Sequence, residues 1–225
     1  MKISIIIPVL NEAQALPLYL NQLQHLRAKG HEVILVDGGS DDNSCQLAEG
    51  MVDSFHKCER GRARQMNSGV GHATGQLLLF LHADTQLPKN VDMMLASTVY
   101  SDRAWGWFDV RLSGSHVLLR VIEWFMNIRS RMTGVATGDQ AIFITTELFK
   151  EVNGFPEIEL MEDISISKKL RRVCWPITVS GKVTTSSRRW EDNGIFRTVL
   201  KMWGIRLRYF LGTKPSTLAG LYEKR

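Results

Sequence analysis

Two aspartates stand just beyond apolar runs, at positions where carboxylates can do chemistry. Asp37 follows the run VILV, and Asp84 comes shortly after the run LLLFL. In an open parallel sheet, ligands bind in the crevice beyond the carboxyl ends of the strands. Carboxylate oxygens there can bind a divalent cation or accept hydrogen bonds from a ligand. The two aspartates therefore predict a site for a nucleotide or a metal-bound phosphate.

Asp37 opens the segment D-G-G-S-D-D, which has two interpretations. Gly38 and Gly39 allow a tight turn and the close approach of a ligand to the backbone. A carboxylate beside them can accept a hydrogen bond from a base or from a ribose hydroxyl. The alternative is a turn in which Asp, Gly and Ser serve backbone geometry alone. Asp41 and Asp42 are expected to cap the next helix or to face solvent.

His82 and Asp84 form a second candidate pair. In an extended segment, side chains two residues apart point to the same side of the chain. An imidazole and a carboxylate there can share a divalent metal ion, or divide the contacts to a metal and a ribose. The alternative is a loop aspartate beside a packed histidine.

Glu162 and Asp163 open a predicted helix after the turn Gly-Phe-Pro. A carboxylate at that place can act as a general base toward the hydroxyl of an acceptor. Acidic residues in the first turn of a helix are also favoured by the helix dipole. Spacing alone therefore leaves both interpretations open.

Three arginines, Arg60, Arg62 and Arg64, form a cluster that suits a pyrophosphate, because a guanidinium binds phosphate oxygens in pairs. The alternative is a solvated basic face. The sequence lacks a P-loop pattern, and no G-x-G-x-x-G follows the first apolar run. This argues against an NTPase and against an NAD-dependent dehydrogenase.

The elements that must position these residues alternate between strand and helix in the first half of the chain. Apolar runs predict strands at 3–9, 32–36, 53–58 and 77–81, with helices at 13–28 and 62–73 and a short helix that carries Leu47 and Met51. This order implies parallel strands joined by right-handed crossovers. The second half predicts an exposed strand at 105–113, strands at 141–145 and around 177–185, and helices at 115–132, 162–172 and 194–211.

Composition places limits on the class of protein. The chain has 225 residues, of which 44% are hydrophobic and 23% charged, enough for one sizeable α/β domain. Its net charge of +5 favours anionic partners. Three widely spaced cysteines argue against a disulfide framework or a zinc site. Since no apolar run reaches the roughly 20 residues that span a bilayer, we expect a cytoplasmic location. Peripheral contact with the inner face of the membrane is the alternative.

The last predicted helix is amphipathic. We expect its apolar stripe to pack over the site as a lid, because core packing is the commoner fate of such a stripe. The alternative is a helix that lies on anionic lipid, with Arg197, Lys201 and Arg208 on the opposite face. The stripe comprises Phe196, Val199, Leu200, Trp203, Leu207 and Phe210.

The order of the motifs resembles the family 2 glycosyltransferases of the GT-A fold. The matching segments are IPVLNE, DGGSDD, a helix with Asn-x-Gly, a strand that ends in an aspartate, and GFPE followed by MED. The segments GRARQMNSG and LHADT are most similar to a bacterial subgroup of the arsenosugar-biosynthesis type. The resemblance implies a single α/β domain with a Rossmann-like nucleotide-binding half and a mixed central sheet flanked by helices. Residues 1–100 would form the nucleotide-sugar half, 101–190 the acceptor half, and 191–225 the C-terminal amphipathic helix and tail.

The resemblance also implies roles for individual residues. The donor nucleotide would be bound by the first loop, by the Asp37 segment and by the Asn-x-Gly helix, with Arg64 in the phosphate role; this set is Pro8, Asn11, Glu12, Asp37, Gly39, Arg64, Asn67, His82 and Asp84. Asp84 matches the last residue of a D-x-D metal motif in which His82 replaces the first aspartate. Asp163, with Glu162 before it, matches the catalytic base. The acceptor side would comprise Gly138, Asp139, Gln140, Arg188 and Trp190.

The implied reaction is an inverting transfer of a sugar from a nucleoside diphosphate to a hydroxyl on a lipid or small apolar acceptor. UDP is the favoured nucleoside diphosphate. The implied cofactor is Mg²⁺ or Mn²⁺. A nucleotidyltransferase is the first alternative, but it needs a glycine-rich basic loop that PVLNE does not supply. A non-enzymatic basic module on a membrane surface is the second. The aromatic residues have core spacing, which argues against nucleic acid as a partner, and nothing in the sequence predicts an oligomeric state.

Overall fold

A mixed sheet of eight strands forms the centre of the protein. A computed structural model describes residues 1–223. Its strands are β1 Ile3–Val9, β2 Glu32–Asp37, β3 Ser54–Lys57, β4 Leu77–Phe80, β5 Thr85–Gln86, β6 Trp105–Leu112, β7 Phe143–Thr145 and β8 Ile177–Thr185. Their order across the sheet is β3-β2-β1-β4-β7-β6-β8-β5.

The first half of the chain supplies the parallel part of this sheet, as the alternation of strands and helices predicts. β1 lies between β2 and β4 and is parallel to both, and β3 continues the sheet beside β2. The register pairs Val9 with Asp37, so β1 and β2 end at the same edge. The loops that follow these strands therefore meet at one edge.

The second half adds strands of mixed direction. β7 is antiparallel to β4 and to β6, while β8 is parallel to β6 and antiparallel to β5. The predicted exposure of β6 is wrong, because Trp105, Trp107 and Phe108 are at most 1% exposed. Trp105 and Trp107 pack in one core cluster and Phe108 in the other, so both sides of the strand are covered.

Helices cover both faces of the sheet. The long predicted helices are present, while α4, α6, α8, α10 and the two-residue β5 have no counterpart in the sequence-based prediction. The helices are α1 Leu16–Ala28, α2 Ser44–Ala48, α3 Arg62–Val70, α4 Val91–Ala96, α5 Val117–Thr133, α6 Thr146–Glu151, α7 Glu162–Val173, α8 Arg188–Asn193, α9 Ile195–Phe210 and α10 Pro215–Glu223.

Packing of α1 and α3 fixes the edge where the strands end. α1 buries a stripe of four leucines, each worth roughly 2 kcal/mol of burial free energy: Leu16, Leu20, Leu23 and Leu26. α3 lies close on the other face, since a Cβ at Gly69 would come within 2.6 Å of Ile6 Cγ2. A larger residue at position 69 would push α3 away from β1.

The expected lid of α9 is wrong, because its apolar stripe is exposed. Phe196, Leu200 and Trp203 are 71%, 70% and 61% exposed. The helix is held by a narrow line of contacts, in which Ile205 packs with Met161. Within residues 1–223, no helix has both the length and the apolarity needed to cross a bilayer.

Candidate active site

The loops after β1 and β2 are joined by hydrogen bonds. Asn11 N–H donates to Ser40 Oγ at 2.9 Å, and Asp41 N–H donates to Asn11 Oδ1 at 2.9 Å. Glu12 N–H donates to Ser44 Oγ at 2.9 Å. Asn11 has a φ of +56°, a conformation that asparagine tolerates better than most residues. The predicted first loop, which begins after Pro8 in β1, therefore lies against the Asp37 segment.

Asp37 is 1% exposed, and its carboxylate closes its own turn. It accepts N–H bonds from Gly39 and Ser40, both at 3.1 Å, and a bond from the Ser40 hydroxyl. Gly39 has a φ of +90°, which favours glycine. The turn-forming interpretation of the D-G-G-S segment is thus present in the structure. Both oxygens of the Asp37 carboxylate thus already accept hydrogen bonds within the turn.

Gln65 is a buried residue of this edge that the sequence interpretation missed. Its Nε2 donates to the carbonyl oxygens of Val9 and Val36, both at 2.8 Å. A Cβ at Gly38 would lie 2.9 Å from Gln65 Oε1. Gln65 therefore holds the ends of β1 and β2 in place, directly beneath the turn. Its signal in the sequence is a polar residue between Ala63 and Met66, on the buried face of α3.

His82 begins a tight turn in which Asp84 lies, so the expected extended segment is wrong. Thr85 N–H donates to the His82 carbonyl at 3.1 Å. Asp84 is half-buried. Burial raises the pKa of its carboxyl group, the positive charges of Arg62 and Arg188 oppose that shift, and Asp139 reinforces it. The negative charge of Asp84 is therefore costly in this environment, and a nearby cation would stabilise it.

His82 lines a small pocket together with the two acidic residues that open α7. A Cβ at Gly138 would lie 2.5 Å from His82 Nε2, so the imidazole packs directly on the glycine backbone. The pocket has a volume of about 10 Å³, the room of about one water molecule. Its lining is Met66, Phe80, His82, Gly138, Ile142, Phe155, Glu162 and Asp163.

Both carboxyl groups of this pocket are hard to ionise. Glu162 is 6% exposed, and burial, followed by the charge of Asp163, raises its pKa to about 7. Burial also raises the pKa of Asp163, while N–H bonds from Gly138 at 3.0 Å and Ile164 at 2.7 Å oppose that shift. A carboxylate with a raised pKa in a pocket suits general base catalysis near neutral pH.

The Gly138–Gln140 turn orients one of these N–H groups. Gln140 is fully buried, and its Oε1 accepts bonds from Ser130 Oγ at 2.8 Å and from Thr137 N–H at 3.0 Å. Gln140 therefore fixes the shape of the turn. Asp139 is half-buried, and its charge acts on Asp84 and Asp163.

Two of the predicted donor residues make structural contacts. Asn67 exchanges two hydrogen bonds with the backbone of Phe155, at 2.9 and 3.0 Å, and so ties α3 to the Gly-Phe-Pro turn. Arg64 is exposed and forms ion pairs with Glu59 at 2.7 Å and with Glu157 at 3.5 Å.

Arg62 is the arginine of the cluster whose charge reaches the acidic residues of the site. It lowers the pKa values of Glu12, Asp84, Glu162 and Asp163 against the raising effect of burial. The sequence predicts a cluster that contains Arg62, and the family resemblance gives the phosphate role to Arg64 instead.

The segment after β8 approaches the first loop. Arg188 lies 3.6 Å from Glu12 and also acts on Asp84, and Trp190 is half-buried in the same helix α8. Burial, then the charge of Asp84, raises the pKa of Glu12, and Arg188 opposes the shift. The charge of Arg188 thus acts on the part of the site that contains Glu12 and Asp84.

A divalent cation fits the oxygen ligand at Asp84 only if other ligands complete its shell. Among residues 1–223, no group of three or more His, Cys, Asp or Glu side chains could hold a metal ion. Mg²⁺ commonly takes one or two carboxylates and fills its other positions with water and phosphate oxygens. The carboxylate of Asp84, with its raised pKa, suits that mode of binding.

The family model for glycosyl transferase family 2 matches residues 4–148, more than half of the chain. The chain belongs to glycosyl transferase family 2. Membership of this family argues against the nucleotidyltransferase and the non-enzymatic alternatives.

Solved structures of glycosyltransferases with the GT-A fold resemble this family member. TarS of S. aureus in complex with UDP-GlcNAc has a TM-score of 0.65 at 19% identity over 83% of this chain and 58% of that one. The mannosyltransferase PcManGT from Pyrobaculum calidifontis, in complex with GDP-Man and Mn²⁺, has a TM-score of 0.65 at 19% identity, over 99% of this chain and 70% of that one. Glucosyl-3-phosphoglycerate synthase from Mycobacterium tuberculosis has a TM-score of 0.58 at 14% identity, over 82% of this chain and 70% of that one.

The likeness to these structures confirms the predicted GT-A fold and, at such identities, concerns the fold alone. The chain spans about three fifths of the length of the TarS chains it matches.

Proposed function

We propose that this glycosyltransferase is an inverting enzyme that moves a sugar from a nucleoside diphosphate, with UDP as the first choice, to a hydroxyl group. The observation that carries the proposal is the meeting of donor and base residues. The charge of Arg62 acts on Asp84, at the end of the central strands, and on Glu162 and Asp163, at the start of α7. A donor diphosphate at Asp84 would place its sugar toward the small acidic pocket.

The donor site would use the joined loops after β1 and β2. Asp37 would bind the base, and Pro8, Asn11, Glu12 and Gly39 would shape the loop around it. Arg62 and Arg188 would face the diphosphate, because their charges already act on Asp84. Relatives in complex with UDP-GlcNAc and with GDP-Man support a nucleotide-sugar donor.

Mg²⁺ or Mn²⁺ would be held by Asp84, with His82 as a second ligand and the donor phosphates completing the shell. Such a cation stabilises the negative charge of the departing nucleoside diphosphate. Arg62 and Arg188 would add to this stabilisation from the protein side. Mn²⁺ in two of the similar structures supports this choice of metal.

Asp163 would be the base. Its N–H bonds from Gly138 and Ile164 favour the ionised carboxylate, whereas Glu162, with a pKa of about 7, is mostly protonated below that pH. As the acceptor oxygen forms its bond to the anomeric carbon, the bond from that carbon to the diphosphate breaks. The hydroxyl proton passes to Asp163, and the sugar configuration inverts.

The acceptor hydroxyl would belong to a lipid or a small apolar molecule at an anionic membrane. Most of the apolar stripe of α9 is exposed, and Arg197, Lys201 and Arg208 lie on the other face of the helix. α9 is anchored to the catalytic helix, since Tyr209 Oη lies 3.1 Å from Ser165 Oγ. A membrane bound by α9 would therefore lie near the start of α7. We include membership of the arsenosugar-biosynthesis-type subgroup in the proposal on the strength of GRARQMNSG and LHADT.

The donor half of the proposal is tested by thermal shift with UDP, GDP and dTDP, each with and without Mn²⁺. We expect UDP with Mn²⁺ to raise the melting temperature most. Absence of a shift with all three nucleotides would refute the donor site. Release of the nucleoside diphosphate from UDP-GlcNAc, UDP-glucose and GDP-mannose, with water as the acceptor, then tests the reaction.

The membrane half is tested by co-sedimentation with phosphatidylglycerol vesicles at low salt, where electrostatic attraction is strongest. We expect the protein to bind, and the double variant Leu200→Glu, Leu207→Glu to remain in solution. Leu18→Glu on α1 is the matched control, because Leu18 is as exposed as Leu207, at 60%, and lies outside α9. Equal binding by the α9 variant, or no binding by the unmodified protein, would refute this half alone.

A further inference from the structure

Arg129, on α5, contacts the turn that carries one of the hydrogen-bond donors of the candidate base. Its Nη2 donates to Ser130 Oγ at 2.8 Å and to Thr137 Oγ1 at 3.4 Å. Burial lowers the pKa of its guanidinium, while the carboxylates of Asp139 and Asp163 act in the opposite direction. The cation is thus partly removed from water, and the charges of two acidic residues of the site act on it.

A chain of hydrogen bonds connects this guanidinium to the base. The hydroxyls of Ser130 and Thr137, which accept from the guanidinium, donate in turn to Gln140 Oε1 at 2.8 and 3.1 Å. Gln140 closes the turn from which Gly138 N–H donates to Asp163 Oδ2 at 3.0 Å. Each bond in such a chain polarises the next.

The position of the guanidinium carries a cost in stability. Its Nε is buried, and none of the described residues accepts a hydrogen bond from it. A buried donor without a partner destabilises the folded state. An arginine held in this way is better explained by its effect on the site than by its own bonds.

We propose that Arg129 is a positioning residue for the base, an inference that rests on the proposed function of Asp163. It holds the Gly138–Gln140 turn through the two hydroxyls, so that Gly138 N–H stays placed to bind Asp163 Oδ2, and its positive charge favours the ionised carboxylate. Arg62 also acts on Asp163, from α3. Removal of Arg129 therefore slows the reaction without abolishing it.

The test is hydrolysis of the donor, a reaction in which water replaces the acceptor. The substrate is whichever of UDP-GlcNAc, UDP-glucose and GDP-mannose the unmodified protein cleaves fastest. We expect Arg129→Met to lower kcat about tenfold or more, since a positioned base contributes about 10²-fold to 10⁴-fold. The KM for the donor stays within about twofold, because the donor loops are untouched. Arg129→Lys, which keeps the charge and loses the fork of donors, recovers kcat to within about threefold.

Arg131→Met is the matched control, with the same change two residues later on α5. Arg131 is 52% exposed at its side chain and pairs with Asp109 at 2.8 Å, so we expect kcat within about twofold of the unmodified protein. If Arg129→Met does not fold, Arg129→Gln replaces it, and UDP with Mn²⁺ in a thermal shift verifies that the donor site is intact.

Equal kcat in Arg129→Met and the unmodified enzyme would overturn the role. So would a loss confined to the donor KM, or a lysine variant as slow as the methionine variant. An unmodified protein that leaves all three donors intact would instead refute the proposed function itself.

Discussion

Replacement of Glu162 by glutamine should stabilise the protein at pH 8 and have little effect at pH 4. Glu162 is 6% exposed, and its pKa is raised from 4.5 to about 7. As the pH rises above 4.5, the unfolded chain loses this proton first, so the folded protein binds more protons than the unfolded chain. Stability then falls with rising pH until the folded group has also ionised, near pH 7. Glutamine has nearly the same shape and does not ionise.

The size of the effect follows from the two pKa values. A rise from 4.5 to about 7 corresponds to roughly 3 kcal/mol of unfolding free energy, at about 1.4 kcal/mol per unit. Asp163 is a close neighbour whose charge raises the pKa of Glu162. This repulsion is already part of the raised pKa, so its removal is included in the roughly 3 kcal/mol.

The assay is urea unfolding of the unmodified protein and Glu162→Gln at pH 4, 6 and 8. The difference in unfolding free energy should grow across this series. Glu147→Gln, at an exposed glutamate on α6 paired with Lys150 at 3.3 Å, is the control, and its difference should stay small at every pH. A difference for Glu162→Gln that is the same at pH 4 and pH 8 would refute the assignment of a buried, hard-to-ionise carboxyl.

Three other substitutions test the site. Asp163→Asn should lower transfer at least 10²-fold while UDP binding changes little, and unchanged turnover would rule out Asp163 as the base. Gly138→Ala should slow the reaction, since its Cβ would lie 2.5 Å from His82 Nε2, whereas Gly204→Ala, with open space around it in α9, should leave activity intact. Equal activity of the two alanine variants would contradict the tight packing. Asn67→Ala should cost about 1–3 kcal/mol in urea unfolding by removing both bonds to Phe155, and an unchanged midpoint would show that the pair contributes nothing.

The sequence predicts the framework of the site because strand ends follow from apolar runs. Asp37 and Asp84 are at the edge where the central strands end, as predicted from runs such as VILV. The turn at His82 was missed, since alternation describes an extended chain and contains no information on where the chain bends. The exposure of α9 was missed because an amphipathic pattern shows that a helix has an apolar face, and does not show what covers it.

Residues that act through others are the hardest to predict. Gln65, Gln140 and Arg129 form hydrogen bonds across 10 or more residues of sequence or through a chain of hydroxyls. Such contacts depend on the approach of separate elements, and no local spacing reports them. Asn67 illustrates a different case, in which a family motif predicts a contact to the donor and the structure shows the side chain bonded to the backbone of a turn.

The electrostatics of the site indicate which ligands it can bind together. Burial raises the pKa values of Glu12, Asp84, Glu162 and Asp163, so the folded protein keeps acidic groups where their charges are poorly solvated. A nucleoside diphosphate alone would add negative charge to this region, which only the arginines offset. A divalent cation alone would find few protein ligands. Binding of the cation should therefore raise the affinity for the donor, and binding of the donor should raise the affinity for the cation by the same factor, because such coupling is reciprocal. We expect the site around Asp84 to bind the donor and the cation together and to bind either one alone weakly.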